Sequence, residues 1–246
     1  MSDAFLSQTI TIGTEDGEIE AYAALVQDSA PRGGVVVIHH ILGYDPATQE
    51  IARRFAALGY NAVMPNLYHR DAPGAAWDDA AAAGRAKGGV PDDRLVADVK
   101  ASAEYLRALP NSNGRIGVIG HCSGGRQSVL SGIELDVDAV VDCYGAFVVG
   151  TVPEGFPLKV RPFGERIKDL RSPVLGLFGQ EDSHPSPEQV DELEQLLKDG
   201  GKDYEFHRYE GAGHAFFAVD RPSYRPEAAV DGWAKINAFY AKHLGV

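Results

Sequence analysis

The sequence is poor in cysteine and in basic residues, and each shortage excludes a class of protein. Its 246 residues include only two cysteines, Cys122 and Cys143, too few for a disulfide framework and without the partners of a structural zinc site. Lysine and arginine number 23 against 35 aspartates and glutamates, which gives a formal net charge of −12. Because this charge repels a phosphate backbone, nucleic acid is not an expected partner.

Long apolar runs are also missing. No stretch reaches the roughly 18 apolar residues of a membrane span, and the opening segment MSDAFLSQTI lacks the basic and apolar regions of a signal peptide. We therefore expect a cytoplasmic protein that does not bind a membrane. Hydrophobic residues at 44% and charged residues at 24% are ordinary globular values, and the length suits a single domain over residues 1–246. We expect a monomer or small homo-oligomer and no cofactor.

Strand-like and helix-like patterns alternate along the chain, which predicts a mostly parallel, doubly wound sheet of about seven or eight strands flanked by helices. The predicted strands are Thr9–Thr14, Glu18–Leu25, Gly34–His39, Asn61–Met64, Arg115–Gly120, Ala139–Cys143, Pro173–Phe178 and Tyr204–Tyr209. Helices are expected after Asp45, Asp93 and residue 125, and at Pro187–Asp199 and Pro226–Leu244. Residues 65–91, rich in Pro, Gly, Ala and Asp, are predicted to be an irregular excursion that borders the active site as a possible lid.

Residues 120–124, with the sequence GHCSG, stand between a buried strand and a helix, which is the context of a nucleophile elbow. The turn is tight, so small residues are needed two positions either side of the nucleophile. The nucleophile here is the thiol of Cys122. The N–H of Ser123, at the start of the helix, is placed to stabilise an oxyanion and to favour a thiolate. The turn after the strand Gly34–His39 is expected to supply a second oxyanion donor, the N–H of Ile41.

Two other interpretations of this segment exist. If Ser123 were the nucleophile, its flanking positions would be His121 and Gly125, and the small residue on the N-terminal side would be missing. In the second interpretation, the segment is only a glycine-rich turn that holds an inert cysteine. The spacing of the small residues favours Cys122 over Ser123, and the position between a strand and a helix favours a functional cysteine over an inert one.

An acid and a histidine follow later, in the order that an elbow nucleophile requires. Asp182 comes just after the strand that ends at Phe178, with Glu181 as a competing acid. His214 comes after the strand that ends at Tyr209, behind two glycines that allow a sharp turn. In acyl transfer the thiolate attacks a carbonyl, the histidine shuttles the proton and the acid orients the imidazole.

At this point the sequence resembles the dienelactone hydrolase family, whose members share the cysteine elbow and the order Cys, Asp, His. The likeness covers nearly the whole chain and includes VVVIHHILG at 35–43, PNLYHRDAPG at 65–74, GHCSGG at 120–125, GQED at 179–182 and AGHAF at 212–216. The resemblance implies an α/β-hydrolase fold and hydrolysis of small esters or lactones. It implies the triad Cys122, Asp182 and His214, an oxyanion hole from Ile41 and Ser123, and Arg70 as a ligand of the substrate carboxylate.

Three positions depart from the best-described members of the family. The acidic residue that helps switch their cysteine to thiolate is replaced by His40, which either stabilises a standing thiolate by ion pairing or hydrogen-bonds to Cys122 as a neutral ring. Ala218 replaces a second carboxylate-binding arginine, for which Arg221 is a distant substitute, and Ala215 replaces a serine. These changes argue against dienelactone itself as the substrate.

Tyr144 and Phe216 follow strands at the predicted active edge and are expected to line an apolar pocket for a small-molecule substrate. The histidines form no strong metal-ligand motif, so no metal is predicted. Two alternatives to a small-ester or lactone hydrolase remain. One is a general carboxylesterase or thioesterase, and the other is a non-catalytic binding or redox-sensor protein on the same fold.

Overall fold

The computed structural model describes residues 4–245 and places eight strands in one sheet. Residues 1–3 and 246, which the single-domain prediction includes, lie outside the described part. The strands are β1 (Phe5–Thr14), β2 (Gly17–Val26), β3 (Arg32–Ile38), β4 (Asn61–Pro65), β5 (Ser112–His121), β6 (Ala139–Cys143), β7 (Val174–Gly179) and β8 (Tyr204–Tyr209), in the order β1-β2-β4-β3-β5-β6-β7-β8. β2 is antiparallel to both neighbours, and the strands from β4 to β8 pair in parallel. The predicted mostly parallel sheet is confirmed.

Helices cover both faces of this sheet, so its central strands are buried on both sides. In β3, Val36 and Ile38 join one core, whereas Val35 and Val37 join the other, as the two-residue period of a strand requires. The helices are α1 (Pro46–Ala57), α2 (Trp77–Ala86), α3 (Asp92–Arg107), α4 (Ser123–Glu134), α5 (Pro187–Asp199) and α6 (Pro226–Leu244), with a 3₁₀ helix at Gly164–Asp169. α1 and α6 pack on one face, and α3, α4 and α5 pack on the other. None of these helices is both long and apolar enough to cross a bilayer.

Helix α1 begins as its sequence predicts. The Oδ1 atom of Asp45 accepts the N–H of Thr48 at 2.7 Å, and Pro46 takes the first helical position, where a missing N–H costs nothing.

The segment 65–91 differs from the prediction, because α2 forms inside it. The sequence of α2, WDDAAAAGRA, is rich in alanine, the residue with the highest helix propensity. Its weak hydrophobic periodicity arises because alanine and glycine form the buried face. Gly84 packs so closely on the Tyr68 ring that a Cβ atom there would overlap it.

Candidate active site

Cys122 occupies a strained turn between β5 and α4. Its φ of 57° and ψ of −122° lie in a region that residues other than glycine rarely adopt. The turn closes because two flanking positions lack side chains. A Cβ atom on Gly120 would overlap the carbonyl oxygen of Gly124, and one on Gly124 would overlap that of Ile38. The partly exposed thiol thus lies at the carboxyl edge of the sheet.

Asp182 and His214 lie together after β7 and β8. The Nδ1 atom of His214 is 2.7 Å from Oδ2 of Asp182, whose Oδ1 accepts the backbone N–H of His184 at 2.8 Å. Burial lowers the pKa of His214, but hydrogen bonds with Asp182 and Cys122 outweigh this effect and raise that pKa to about 10. These two partners favour the protonated form of the imidazole. The competing acid, Glu181, is exposed to solvent.

Two backbone N–H groups border the same cavity as the thiol. Ser123 is the first residue of α4, where N–H groups have no acceptor within the helix. Ile41 lies in the turn after β3, and both residues line the cavity around Cys122. Within residues 4–245, neither N–H donates to a protein acceptor. Both N–H groups are thus available to an oxygen atom bound at the thiol.

The segment 65–91 fixes the turn at Ile41. The Tyr68 hydroxyl and Nη1 of Arg85 both donate to the carbonyl oxygen of Ile41, at 3.0 and 3.3 Å. Sequence reasoning placed this segment beside the active site but missed the two donors, because a contact to a backbone carbonyl leaves no motif.

Two compartments meet at Cys122 and His214. The first, called the apolar compartment here, has a volume of about 330 Å³, and its walls include Ala146, Phe147, Phe156, Leu158 and Val160. The second, called the amphipathic compartment, has a volume of about 350 Å³, and its walls include Ile51, Arg54, Tyr144, Phe217, Arg221 and Trp233. A bound molecule can extend from the thiol in either direction.

The two aromatic residues predicted to line the pocket have different positions. Tyr144 lines the amphipathic compartment. Phe216 is fully buried behind the wall of this compartment, and its ring stacks on Phe217 with centroids 4.7 Å apart. The wall position predicted for Phe216 is therefore taken by Phe217. The two rings are adjacent in one turn, and the sequence does not reveal which of them faces the cavity.

Arg70 lies outside both compartments, which corrects its predicted role. Its guanidinium donates to both carboxylate oxygens of Asp98, at 3.0 and 2.8 Å, and to the hydroxyl of Thr14 at 2.6 Å. Asp98 is fully buried on α3, and a buried carboxylate needs such a partner. This ion pair takes the place of the predicted contact with a substrate carboxylate, and the bonds of Arg70 to Asp98 and Thr14 join the segment 65–91 to α3 and β1.

His40 lines the amphipathic compartment, but protein groups occupy both ring nitrogens. Nε2 lies 2.9 Å from Oδ2 of Asp45, and Nδ1 accepts the N–H of Leu42 at 3.1 Å. Burial raises the pKa of Asp45, but the hydrogen bonds from His40 and Thr48 outweigh it and lower that pKa to about 2. Nδ1 accepts an N–H and Nε2 faces a carboxylate, so neither ring nitrogen is free to bond to Cys122. Neither predicted pairing of His40 with Cys122 is formed.

Arg126 is a residue that sequence reasoning missed. Only 2% exposed, it donates from two nitrogens to the carboxylate of Asp92, at 2.8 and 2.9 Å, and to the carbonyl of Arg161 at 2.8 Å. Its guanidinium also lies 4.9 Å from the centroid of the Phe163 ring. These contacts tie α4 to the segment that forms the apolar compartment. The available signal was an arginine directly after the glycines of the elbow.

The fold and the site define a class of protein. A strand order of this kind, with a tight turn at a cysteine after the fifth strand and an aspartate paired with a histidine after the seventh and eighth, is that of an α/β-hydrolase. Among the described residues, no group of three His, Cys, Asp or Glu side chains is arranged to hold a metal ion.

The model of the dienelactone hydrolase family matches residues 19–244. The chain belongs to this family and is a hydrolase of the dienelactone hydrolase kind, as its motifs predicted.

Known relatives span almost the whole chain. A carboxymethylenebutenolidase of Pseudomonas putida is 29% identical over 235 residues, which cover 91% of this chain and 92% of the relative. The crystal structure of a candidate dienelactone hydrolase of Klebsiella pneumoniae has a TM-score of 0.85 and 28% identity, and covers 98% of this chain and 100% of its own. A dienelactone hydrolase-like promiscuous phosphotriesterase from metagenomic libraries has a TM-score of 0.79 at 21% identity, covers 99% of this chain and 100% of its own, and shares the fold.

Proposed function

We propose that this protein hydrolyses small ester or lactone bonds through an acyl-cysteine intermediate, with Cys122 as nucleophile, His214 as acid and base, and Asp182 as the group that orients His214. The supporting observation is the chain of contacts from Cys122 through His214 to Asp182 at an elbow turn. Membership of the dienelactone hydrolase family supports lactones as well as esters among the substrates.

The first step forms the acyl-enzyme. The thiolate sulfur of Cys122 attacks the carbonyl carbon, and the carbonyl electron pair moves to oxygen. The N–H groups of Ile41 and Ser123 stabilise that oxyanion, which is a larger effect in a site shielded from water. When the intermediate collapses, the bond to the alkoxy oxygen breaks, and His214 donates its proton to the leaving alcohol.

The second step releases the acid. A water molecule attacks the acyl carbon while His214, now neutral, accepts its proton, and the carbon–sulfur bond breaks to restore the thiolate. Asp182 keeps the Nδ1 proton in place throughout, so Nε2 remains the atom that exchanges protons. In a lactone, the leaving alcohol and the acid are parts of one product.

The same proposal gives the enzyme no cofactor and no nucleic-acid partner. The acidic composition supports the absence of a nucleic-acid partner, and we propose a cytoplasmic location. We propose a monomer or small homo-oligomer.

The test is hydrolysis of a panel of neutral and carboxylate-bearing esters and lactones. Wild type is compared with Cys122→Ala, and Cys143→Ala is the matched control because it removes the other, fully buried thiol. We expect turnover to vanish in Cys122→Ala and to persist in Cys143→Ala. Turnover by Cys122→Ala at the wild-type rate would refute the proposed nucleophile.

A further inference from the structure

We propose that the preferred substrates are open-chain esters with a substantial group on each side of the carbonyl, one of them an apolar group bound in the apolar compartment. The inference rests on the proposed function of Cys122 and narrows its substrate class.

The arrangement of the cleft suits a substrate with two substituents, called arms here, one on each side of the carbonyl. Only Cys122, His214 and Ile41 border both compartments among the residues described. A carbonyl carbon attacked by sulfur, with its oxygen at the Ile41 N–H, has two remaining substituents. The cleft offers one compartment for each of them.

The size of the apolar compartment favours a large substituent. A cavity of about 150 Å³ holds a benzene molecule in a protein core, and this compartment has about 330 Å³. It therefore has room for a substituted ring or a branched chain. A small lactone would occupy only part of the space on one side of the thiol.

The walls of the apolar compartment are fixed by packing and hydrogen bonds. The ring of Phe147 packs edge-on against Phe156 with centroids 4.7 Å apart. The N–H of Lys159 donates to the carbonyl of Gly88 at 2.7 Å, which ties this wall to the segment 65–91. Such a preformed apolar site binds an apolar group at low entropic cost.

Backbone strain is concentrated at the same two compartments. Within residues 4–245, four residues other than glycine have a positive φ, and all four line a compartment: Cys122, Tyr144, Phe147 and Ala215. A positive φ is strained for such residues and persists where the surrounding structure holds it. Tyr144 belongs to the amphipathic compartment and Phe147 to the apolar one, so strain sets a wall residue on each side of the thiol.

The amphipathic compartment suits a different arm. The guanidinium of Arg54 lies 3.9 Å from the centroid of the Trp233 ring, and Arg221 also lines the compartment. This mixture of aromatic and cationic groups accepts polar as well as apolar groups, whereas the apolar compartment selects for hydrophobicity.

Two series of esters test the proposal. One lengthens the acyl chain of methyl esters, and the other lengthens the alcohol chain of acetates. We expect kcat/KM to rise about fourfold for each buried methylene in both series, until the compartment is filled. A rise in one series alone, or in neither, would overturn the two-arm inference.

Variants that fill one compartment assign the arms. Val160→Phe reduces the apolar compartment and Ala218→Phe the amphipathic one, and neither side chain is fully buried. We expect each Phe variant to shorten the preferred chain length in a different ester series. Val160→Ala should lengthen the preferred chain in the series in which Val160→Phe shortens it. Shortening of the same series by both Phe variants contradicts the proposal.

Failure of this inference differs from failure of the proposed function. If Cys122→Ala hydrolyses these esters like wild type, the nucleophile is wrong. If hydrolysis depends on Cys122 but kcat/KM does not change with chain length, only the two-arm inference fails.

Discussion

Replacing Asp182 with asparagine tests how the site controls the protons of His214. In the native structure, one carboxylate oxygen of Asp182 accepts the N–H of His184 and the other faces Nδ1 of His214. An asparagine keeps its oxygen toward the His184 N–H, because the other orientation leaves that N–H without an acceptor at a cost of about 1–3 kcal/mol. Its NH₂ group then faces Nδ1 of His214.

This orientation forces the imidazole into the wrong tautomer. With an NH₂ donor opposite, Nδ1 becomes an acceptor and the proton of the neutral ring moves to Nε2, which can no longer accept a proton from water. We expect kcat to fall by about 10³ to 10⁴-fold, as expected when the acid of a triad is lost. The pKa of His214, about 10 in the native protein, should fall toward the ordinary value of about 6.5.

The assay combines ester hydrolysis with an NMR titration of the His214 ring nitrogens. Glu181→Gln is the matched control, since it removes the neighbouring exposed carboxylate, and its kcat should stay close to that of wild type. In wild type, activity that requires protonated His214 declines as the pH rises through about 10, and in Asp182→Asn this decline moves to lower pH. A kcat for Asp182→Asn within tenfold of wild type would refute the reasoning.

Two further predictions concern stability. Burial raises the pKa of Asp142 to about 7, so the native state holds a proton that the unfolded chain releases above about pH 4, and the free energy of unfolding falls between about pH 4 and pH 7. This decline in the free energy of unfolding amounts to at most about 4 kcal/mol. Asp142→Asn should abolish it when unfolding by urea is measured across the same pH range, and an unchanged pH dependence would contradict the raised pKa of Asp142. Arg126→Met should lower the free energy of unfolding by about 3 kcal/mol. This is the lower end of the range for breaking a buried ion pair, because Asp92 is 44% exposed. A double-mutant cycle with Asp92→Asn should give a coupling of about 0.5–3 kcal/mol, and additive effects would contradict the pairing.

The regular elements were predictable from the sequence because local signals mark them. β6 and β8 have the predicted bounds, since each is a short run of strand-forming residues between turn signals. α5 and α6 also have the predicted bounds, since each begins at a proline in the first helical position. The elbow was predictable because the spacing of its glycines is a steric requirement of the turn.

Contacts between distant segments were not predictable in the same way. The role of Arg70 depends on Asp98, which is buried 28 residues away on α3. The motif around Arg70 matched the family, but a motif does not show which of two possible partners an arginine meets. The apolar compartment was missed for a similar reason, because the segment from 146 to 160 that forms its wall has no periodic pattern.

The central claim is that Cys122 forms a covalent acyl intermediate. Rapid quenching of wild type mixed with an ester, followed by mass spectrometry of the peptide that contains Cys122, tests it most directly. We predict a peptide heavier by the mass of the acyl group, formed at the rate at which the first equivalent of alcohol is released and absent when the ester is omitted. Steady turnover with the Cys122 peptide unmodified and the acyl group on another residue would contradict the account.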